Sequence, residues 1–168
     1  MKISYKWLQD YVDVKLKPDV VAEYLTSTGL EVEGIIDYGS IPGGLNDVVI
    51  GEVMECAKHP DADKLTVCSV DIGSGELLKI VCGSPNVNTG QKVPVAIIGA
   101  ELFPYDKEES FTIKKVKIRG ITSEGMICAE DELGLGPSHD GIMVLDRNAV
   151  TGTPAADYFG VYKDKVFE

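Results

Sequence analysis

Apolar positions recur along this chain with two different periods. Near the start they are helical: Ser4 stands where an N-cap hydroxyl would, ahead of a short helix carrying Trp7, Leu8 and Tyr11. Pro18 suits the first turn of a second helix, with Val20, Val21, Tyr24 and Leu25 on one apolar side. Gly29 is placed to end that helix in a left-handed conformation. Leu30, Val32, Ile35 and Ile36 then predict a strand. Asp37 to Asn46 has no period and holds three glycines and a proline, which marks a linker.

From Val48 the pattern changes to short β-runs separated by turns. Val48 to Met54 is the first run and Leu65 to Ile72 the second. Gly73-Ser74-Gly75 predicts a tight hairpin into Leu77 to Val81. Asn86 to Gly90 is a turn before Val93 to Ile98, and Met126 to Ala129 and Ile142 to Leu145 complete the set. Strands at this spacing, with no long helix among them, predict a small closed or nearly closed β-barrel. Thr153-Pro154 reads as a helix start running to Phe159, before Gly160. Neither terminal stretch is long enough to bury a core alone. The expected class is therefore α+β. Residues 1–39 and 152–168 form one small discontinuous α/β domain, and residues 40–151 form a barrel inserted between its halves.

Composition narrows the function classes. The formal net charge is -11, with 16 basic and 27 acidic residues, which argues against strong non-specific nucleic-acid binding. A local basic face on an acidic body remains possible. No apolar run approaches the ~20 residues that cross a bilayer, and the N-terminus lacks a signal peptide's apolar core, so a cytoplasmic protein is expected. The four cysteines are spread widely and show no Cys-x-x-Cys pair, so no metal site is expected.

Four of the basic residues fall within six positions, Lys114, Lys115, Lys117 and Arg119. Read as one strand from Phe111, the alternation puts Lys115, Lys117 and Arg119 on one face, with Lys114 beside Thr112, Val116 and Ile118 on the other. Gly120 and Gly125 bracket a turn that follows. Such a ribbon either grips a phosphate backbone or is an edge strand whose lysines discourage aggregation. A second distinctive stretch, Lys58-His59-Pro60-Asp61-Ala62-Asp63-Lys64-Leu65, predicts a compact turn. There His59 either meets phosphate or base, or braces the turn. Asp61 and Asp63 lack the further ligands of a calcium loop. No nucleophile has a base placed near it: Cys82-Gly83-Ser84-Pro85-Asn86 is not a Gly-x-Ser-x-Gly elbow, and Gly134-Leu135-Gly136-Pro137 lacks the third glycine of a dinucleotide loop. No catalytic residue is expected.

Taken together, the motifs resemble the N-terminus of the bacterial phenylalanyl-tRNA synthetase beta-chain family. The likeness is carried by Ser4-Tyr5-Lys6-Trp7-Leu8, Thr28-Gly29-Leu30-Glu31-Val32-Glu33 and His59-Pro60-Asp61-Ala62-Asp63-Lys64-Leu65. It continues through Ile80-Val81-Cys82-Gly83, Pro85-Asn86-Val87, Gly90-Gln91-Lys92-Val93-Pro94-Val95-Ala96, Lys117-Ile118-Arg119-Gly120 and Ser123-Glu124-Gly125-Met126-Ile127-Cys128, then Glu132-Leu133-Gly134-Leu135-Gly136. The resemblance spans essentially the whole chain. It implies a tRNA-binding barrel of the oligonucleotide/oligosaccharide-binding type within a longer polypeptide, and Val166-Phe167-Glu168 ends in apolar texture as an N-terminal piece would. It implies tRNA contacts at Lys58, His59, Lys64, Asn86, Lys114, Lys115, Lys117, Arg119, Ser123 and Met126. For the whole enzyme it implies a class II ligase that uses ATP and Mg²⁺, with an alpha chain as catalytic partner in a heterotetramer of two alpha and two beta chains. The fragment itself would hold no cofactor. Residues 46–150 hold 10 basic and 17 acidic residues, so any grip on tRNA is expected to be auxiliary. A free-standing structure-specific tRNA-binding protein and a purely structural domain of the synthetase are the alternatives.

Overall fold

Local caps set the first elements. The computed structural model describes all 168 residues, Met1–Glu168. After a two-residue strand β1 (Ile3–Ser4), the Ser4 hydroxyl accepts from the Trp7 N–H at 2.9 Å and starts α1 (Tyr5–Tyr11). Pro18 occupies the first turn of α2 (Pro18–Ser27), where its missing N–H costs nothing. That helix ends in a Schellman motif. Gly29 takes φ +97°, its N–H reaches Thr26 O at 3.0 Å, and the Leu30 N–H reaches Leu25 O at 2.9 Å. The strand expected from Leu30 begins only at Ile35, as β2 (Ile35–Gly39).

Contacts divide the chain into two units, Met1–Ser40 with Tyr162–Glu168, and Ile41–Val161. In the first unit the last strand of the chain, β12 (Lys163–Phe167), is the middle of a three-stranded antiparallel sheet ordered β1-β12-β2. Phe167 is buried there and meets Tyr5 edge-on, with ring centroids 6.1 Å apart. Asp164 is the polar hub. Its carboxylate accepts from the Ser4 hydroxyl, from the Lys6 N–H at 3.1 Å, from the Tyr162 hydroxyl at 2.8 Å and from the Lys165 N–H at 2.7 Å.

The second unit is a nearly closed five-stranded antiparallel barrel. Its strands are β3 (Val48–His59), β4 (Ala62–Asp71), β5 (Leu77–Cys82), β6 (Lys92–Ile97) and β11 (Gly125–Ile127). They pair in the order β11-β6-β3-β4-β5. The two outer strands then approach each other: the Glu124 N–H donates to Lys79 O at 2.8 Å, and the Val81 N–H donates to the Ser123 hydroxyl at 3.1 Å. This is the oligonucleotide-binding type of barrel, in which the third strand closes on the fifth. Gly125 makes the closure possible, because a Cβ there would lie 2.9 Å from Ala96 O and 3.4 Å from the Ile80 side chain. The interior is filled by Val53, Cys68, Val70, Ile80, Val93, Val95 and Ile127. Burial pushes the thiols of Cys68, Cys82 and Cys128 up, so they pack as neutral side chains.

Between β6 and β11 come four short strands. β7 (Glu101–Leu102) pairs with β8 (Phe111–Thr112), and β9 (Val116–Ile118) pairs with β10 (Ile121–Ser123). Three sequence expectations change here. The basic run is two strands rather than one, because Ile113 is buried and exchanges backbone bonds with Gly99 and Ala100. Residues 142–145 form no strand; only Leu145 bridges to Lys92. Finally, the boundary expected at residue 152 lies ten residues later. α3 (Ala155–Tyr158) belongs to the barrel unit, since Ala155 is fully buried beside Val48 and Ile50, and the Ile50 N–H bonds Thr153 O at 2.8 Å.

Candidate nucleic-acid interface

Two hairpins bring together most of the basic residues that the sequence singles out. The first is the turn between β3 and β4, where His59 pairs with Ala62 across Pro60-Asp61. The second is the two-residue turn Arg119-Gly120 between β9 and β10, with φ +44° and +91°. Two positive φ values in a two-residue loop define the primed turn that matches strand twist, and glycine suits the second position. Arginine at the first position does not, so its presence there is sustained by something other than local conformation.

Side chains clamp the two tips together. His59 is only 4% exposed. Its Nδ1 accepts from the Asp61 N–H at 3.1 Å, which leaves the ring proton on Nε2 to donate to Ile118 O at 3.2 Å. Arg119 Nη1 donates to Asp61 O at 3.2 Å, so each tip holds the other. A recess of about 440 Å³ opens beside the clamp, lined by Asp61, Ala62, Asp63, Lys64, Leu65 and Arg119.

Register decides what the second hairpin presents. Lys117 faces Thr122 directly, while Val116 faces Ser123 and Ile118 faces Ile121 on the opposite side. Lys115 reaches along the Lys117 side to Glu124, with Nζ 2.7 Å from Oε1. That lysine's hydrogen bond and charge hold the Glu124 carboxyl below its ordinary value. A second recess of about 450 Å³ lies here, lined by Val67, Lys79, Lys115, Gly120, Ile121, Thr122 and Glu124.

The ten residues expected to meet RNA separate accordingly. Lys58, Lys64, Lys114, Lys115, Lys117 and Arg119 are exposed along or beside the two hairpins, with Lys114 and Lys115 at the end of the second away from its tip. The burial of His59 and Ser123 corrects two expectations, and Asn86 and Met126 are half-buried with contacts inside the protein. His59 is a buried clamp. Ser123 is 3% exposed and spends its hydroxyl on Val81 N–H and Gly125 O. Asn86 braces a different corner, accepting from the Ser84 hydroxyl and the Ile142 N–H and donating to Ile142 O. Met126 is half-buried on β11 and packs against the core. For His59, Ser123 and Asn86 the backbone supplies partners that the side chain's chemistry demands. Lys79 joins the basic surface although no sequence motif singles it out. It is exposed on β5 within an otherwise apolar run, and a lone outward lysine in a core strand is the signal that marks it.

Residues 48–154 match the family described as "Putative tRNA binding domain", which is well over half of the chain. The chain belongs to this family. All six exposed basic residues, and Lys79, lie within the matched stretch. The chain is also 56% identical over 168 residues to the phenylalanine–tRNA ligase beta subunit of Bacteroides fragilis, covering 100% of this chain and 20% of that subunit. The same subunit from Salinibacter ruber is 47% identical over 167 residues, covering 96% of this chain and 20% of that one. The chain thus spans about a fifth of the length of these relatives. Among solved structures, a MetRS-related protein from Pyrococcus horikoshii superposes with a TM-score of 0.45 at 22% identity, over 63% of this chain and 85% of that one. No helix of the chain is long and apolar enough to cross a membrane.

Proposed function

We propose that this chain is the N-terminal, tRNA-contacting portion of a phenylalanine–tRNA ligase beta subunit, and that its clamped hairpin tips touch the tRNA backbone. The observation that carries the reading is the concentration of six exposed cations along two clamped hairpins of a chain whose net charge is -11. Lysine and arginine on such hairpins neutralise phosphates and orient the RNA without reading its sequence. In this reading the ligase is a class II enzyme that joins phenylalanine to its tRNA. The ATP and Mg²⁺ it uses, its catalytic residues and its alpha-chain partner in a two-alpha, two-beta assembly lie beyond residues 1–168, and the complex works in the cytoplasm. Binding by this portion alone falls in the range of roughly 10⁻⁴–10⁻⁶ M typical of electrostatic contacts. Tethering to a ligase already holding its tRNA makes such weak contacts effective.

A salt titration of tRNA binding tests the reading. Changing Lys115, Lys117 and Arg119 together to alanine is expected to lower affinity and flatten the log–log salt slope by about 0.7–0.9 for each phosphate no longer neutralised. Unchanged affinity and slope in a folded triple variant would mean a purely structural domain.

A further inference from the structure

Lys115 holds an anion that belongs to the protein, and Lys79 lines the same recess. The Glu124 carboxylate lies 2.7 Å from Lys115 Nζ, while the Glu124 N–H is fixed to Lys79 O at 2.8 Å. The charge of Lys79 also acts on that carboxylate. Val67 and Ile121 give the surrounding recess apolar walls, and Thr122 adds a hydroxyl at its rim. The recess is therefore lined by two lysines and a threonine, and its one carboxylate is held by Lys115 where an incoming anion would be held.

We propose that the Lys79–Lys115 recess is a binding site for one phosphate of an RNA backbone, and that Glu124 acts as its built-in occupant. The proposal rests on the tRNA-binding reading above. Exchange is cheap because the pair is open to water, with side-chain exposures of 58% for Lys115 and 32% for Glu124, and exposed ion pairs contribute little stability. An arriving phosphodiester brings oxygens that both lysines and Thr122 donate to, and the carboxylate swings outward to solvent. Glu124 thereby weakens every polyanion that makes a single contact. An RNA that also engages Lys117 and Arg119 next to the recess has the additional attraction needed to displace it. This is discrimination by a repulsive element rather than by a better fit.

The test uses the full chain carrying Glu124→Gln, Lys79→Ala, and the two changes combined, with a fluorescently labelled tRNA transcript titrated at several salt concentrations. E124Q is expected to bind on the order of 3–10-fold tighter at low salt, with the gain shrinking as salt rises because a charge has been removed from the site. Adding Lys79→Ala to E124Q is expected to cancel the gain. In parallel, the Lys115 side-chain NMR signal is titrated with inorganic phosphate; saturable shifts are expected in E124Q and not in the unchanged chain. The proposal is overturned if E124Q, with an unaltered thermal midpoint, binds tRNA no more tightly and its Lys115 signal ignores phosphate. It is also overturned if E124Q binds tRNA more weakly, which would make Glu124 an acceptor for the RNA itself. Were E124Q to fold poorly, Lys79→Ala alone decides, since an unchanged affinity there removes the site. A phosphate response in E124Q without tRNA binding by any form would keep the recess and sink the tRNA reading instead. tRNA binding sensitive to Lys117 and Arg119 but indifferent to Glu124 would do the reverse.

Discussion

Arg119 holds a backbone conformation, φ +44°, that costs a branched or bulky residue free energy and costs asparagine or glycine much less. Its guanidinium is exposed yet tied to Asp61 O across the gap between the tips. Arg119→Asn is therefore expected to leave thermal stability unchanged or raise it by about 0.5–1 kcal/mol, while weakening tRNA binding. A thermal melt and a binding titration on the same sample check both halves. His59 sits on the other side of this trade. His59→Ala empties a buried position and orphans the Asp61 N–H and Ile118 O, at a cost of about 1–3 kcal/mol by denaturant titration. Because the ring meets almost no solvent, the salt slope of RNA binding measured well below the unfolding midpoint should stay as it was. The sequence leaves His59 poised between contact and brace, for a physical reason. Burial there depends on Ile118, 59 residues later, folding across it, and no local pattern records that approach.

At the scale of elements, barrel closure turns on residues that lack bulk. Gly125→Ala would press a methyl group against the Ala96 carbonyl, a backbone atom with nowhere to go. A destabilisation of about 1–3 kcal/mol is expected, with faster hydrogen exchange at the Glu124 and Val81 amides that join the outer strands. Most of the barrel is legible in the sequence because alternation and turn residues are local: Gly73-Ser74-Gly75 and the β4 and β5 strands fall where the pattern puts them. The basic run reads as continuous because its alternation survives the interruption. Ile113 is buried and bonds to residues 99 and 100, which cuts the ladder between Thr112 and Val116. Length also misleads at the β3–β4 hairpin. There the pairing continues through bulges as far as His59, past the polar residues that look like its end.

Over the whole molecule, the small unit's stability is linked to one carboxylate. Burial alone would push the Asp164 carboxyl up. The bonds from Ser4, the Lys6 N–H, Tyr162 and the Lys165 N–H outweigh that effect and hold it below its ordinary value. A depressed carboxylate contributes stability that is fully present above the unfolded-state pKa and is lost as pH falls through the folded one. Trp7, the chain's single tryptophan, lies in this unit and reports on it. Its fluorescence is expected to show acid unfolding below the usual aspartate range. Asp164→Asn should be less stable at neutral pH by about 1–3 kcal/mol and show a shallower acid dependence. The domain layout itself is readable from the sequence, because helical and strand periods change at Val48. The second boundary is not: α3 has the texture of the terminal pieces, and Ala155's burial with the Ile50–Thr153 backbone bond assigns it to the barrel.

The sheet order β1-β12-β2 also sets a timetable. Because β12 is the middle strand, β1 and β2 have no partner until the last residues of this stretch leave the ribosome. The 121 residues from Ile41 to Val161 are synthesised between β2 and β12, which takes roughly 6–24 s at about 5–20 residues per second. During that interval the barrel can close on its own contacts, whereas the first forty residues wait with their sheet unmade. The order of assembly is thus the reverse of the order of translation: the segment made first is the last to find its fold.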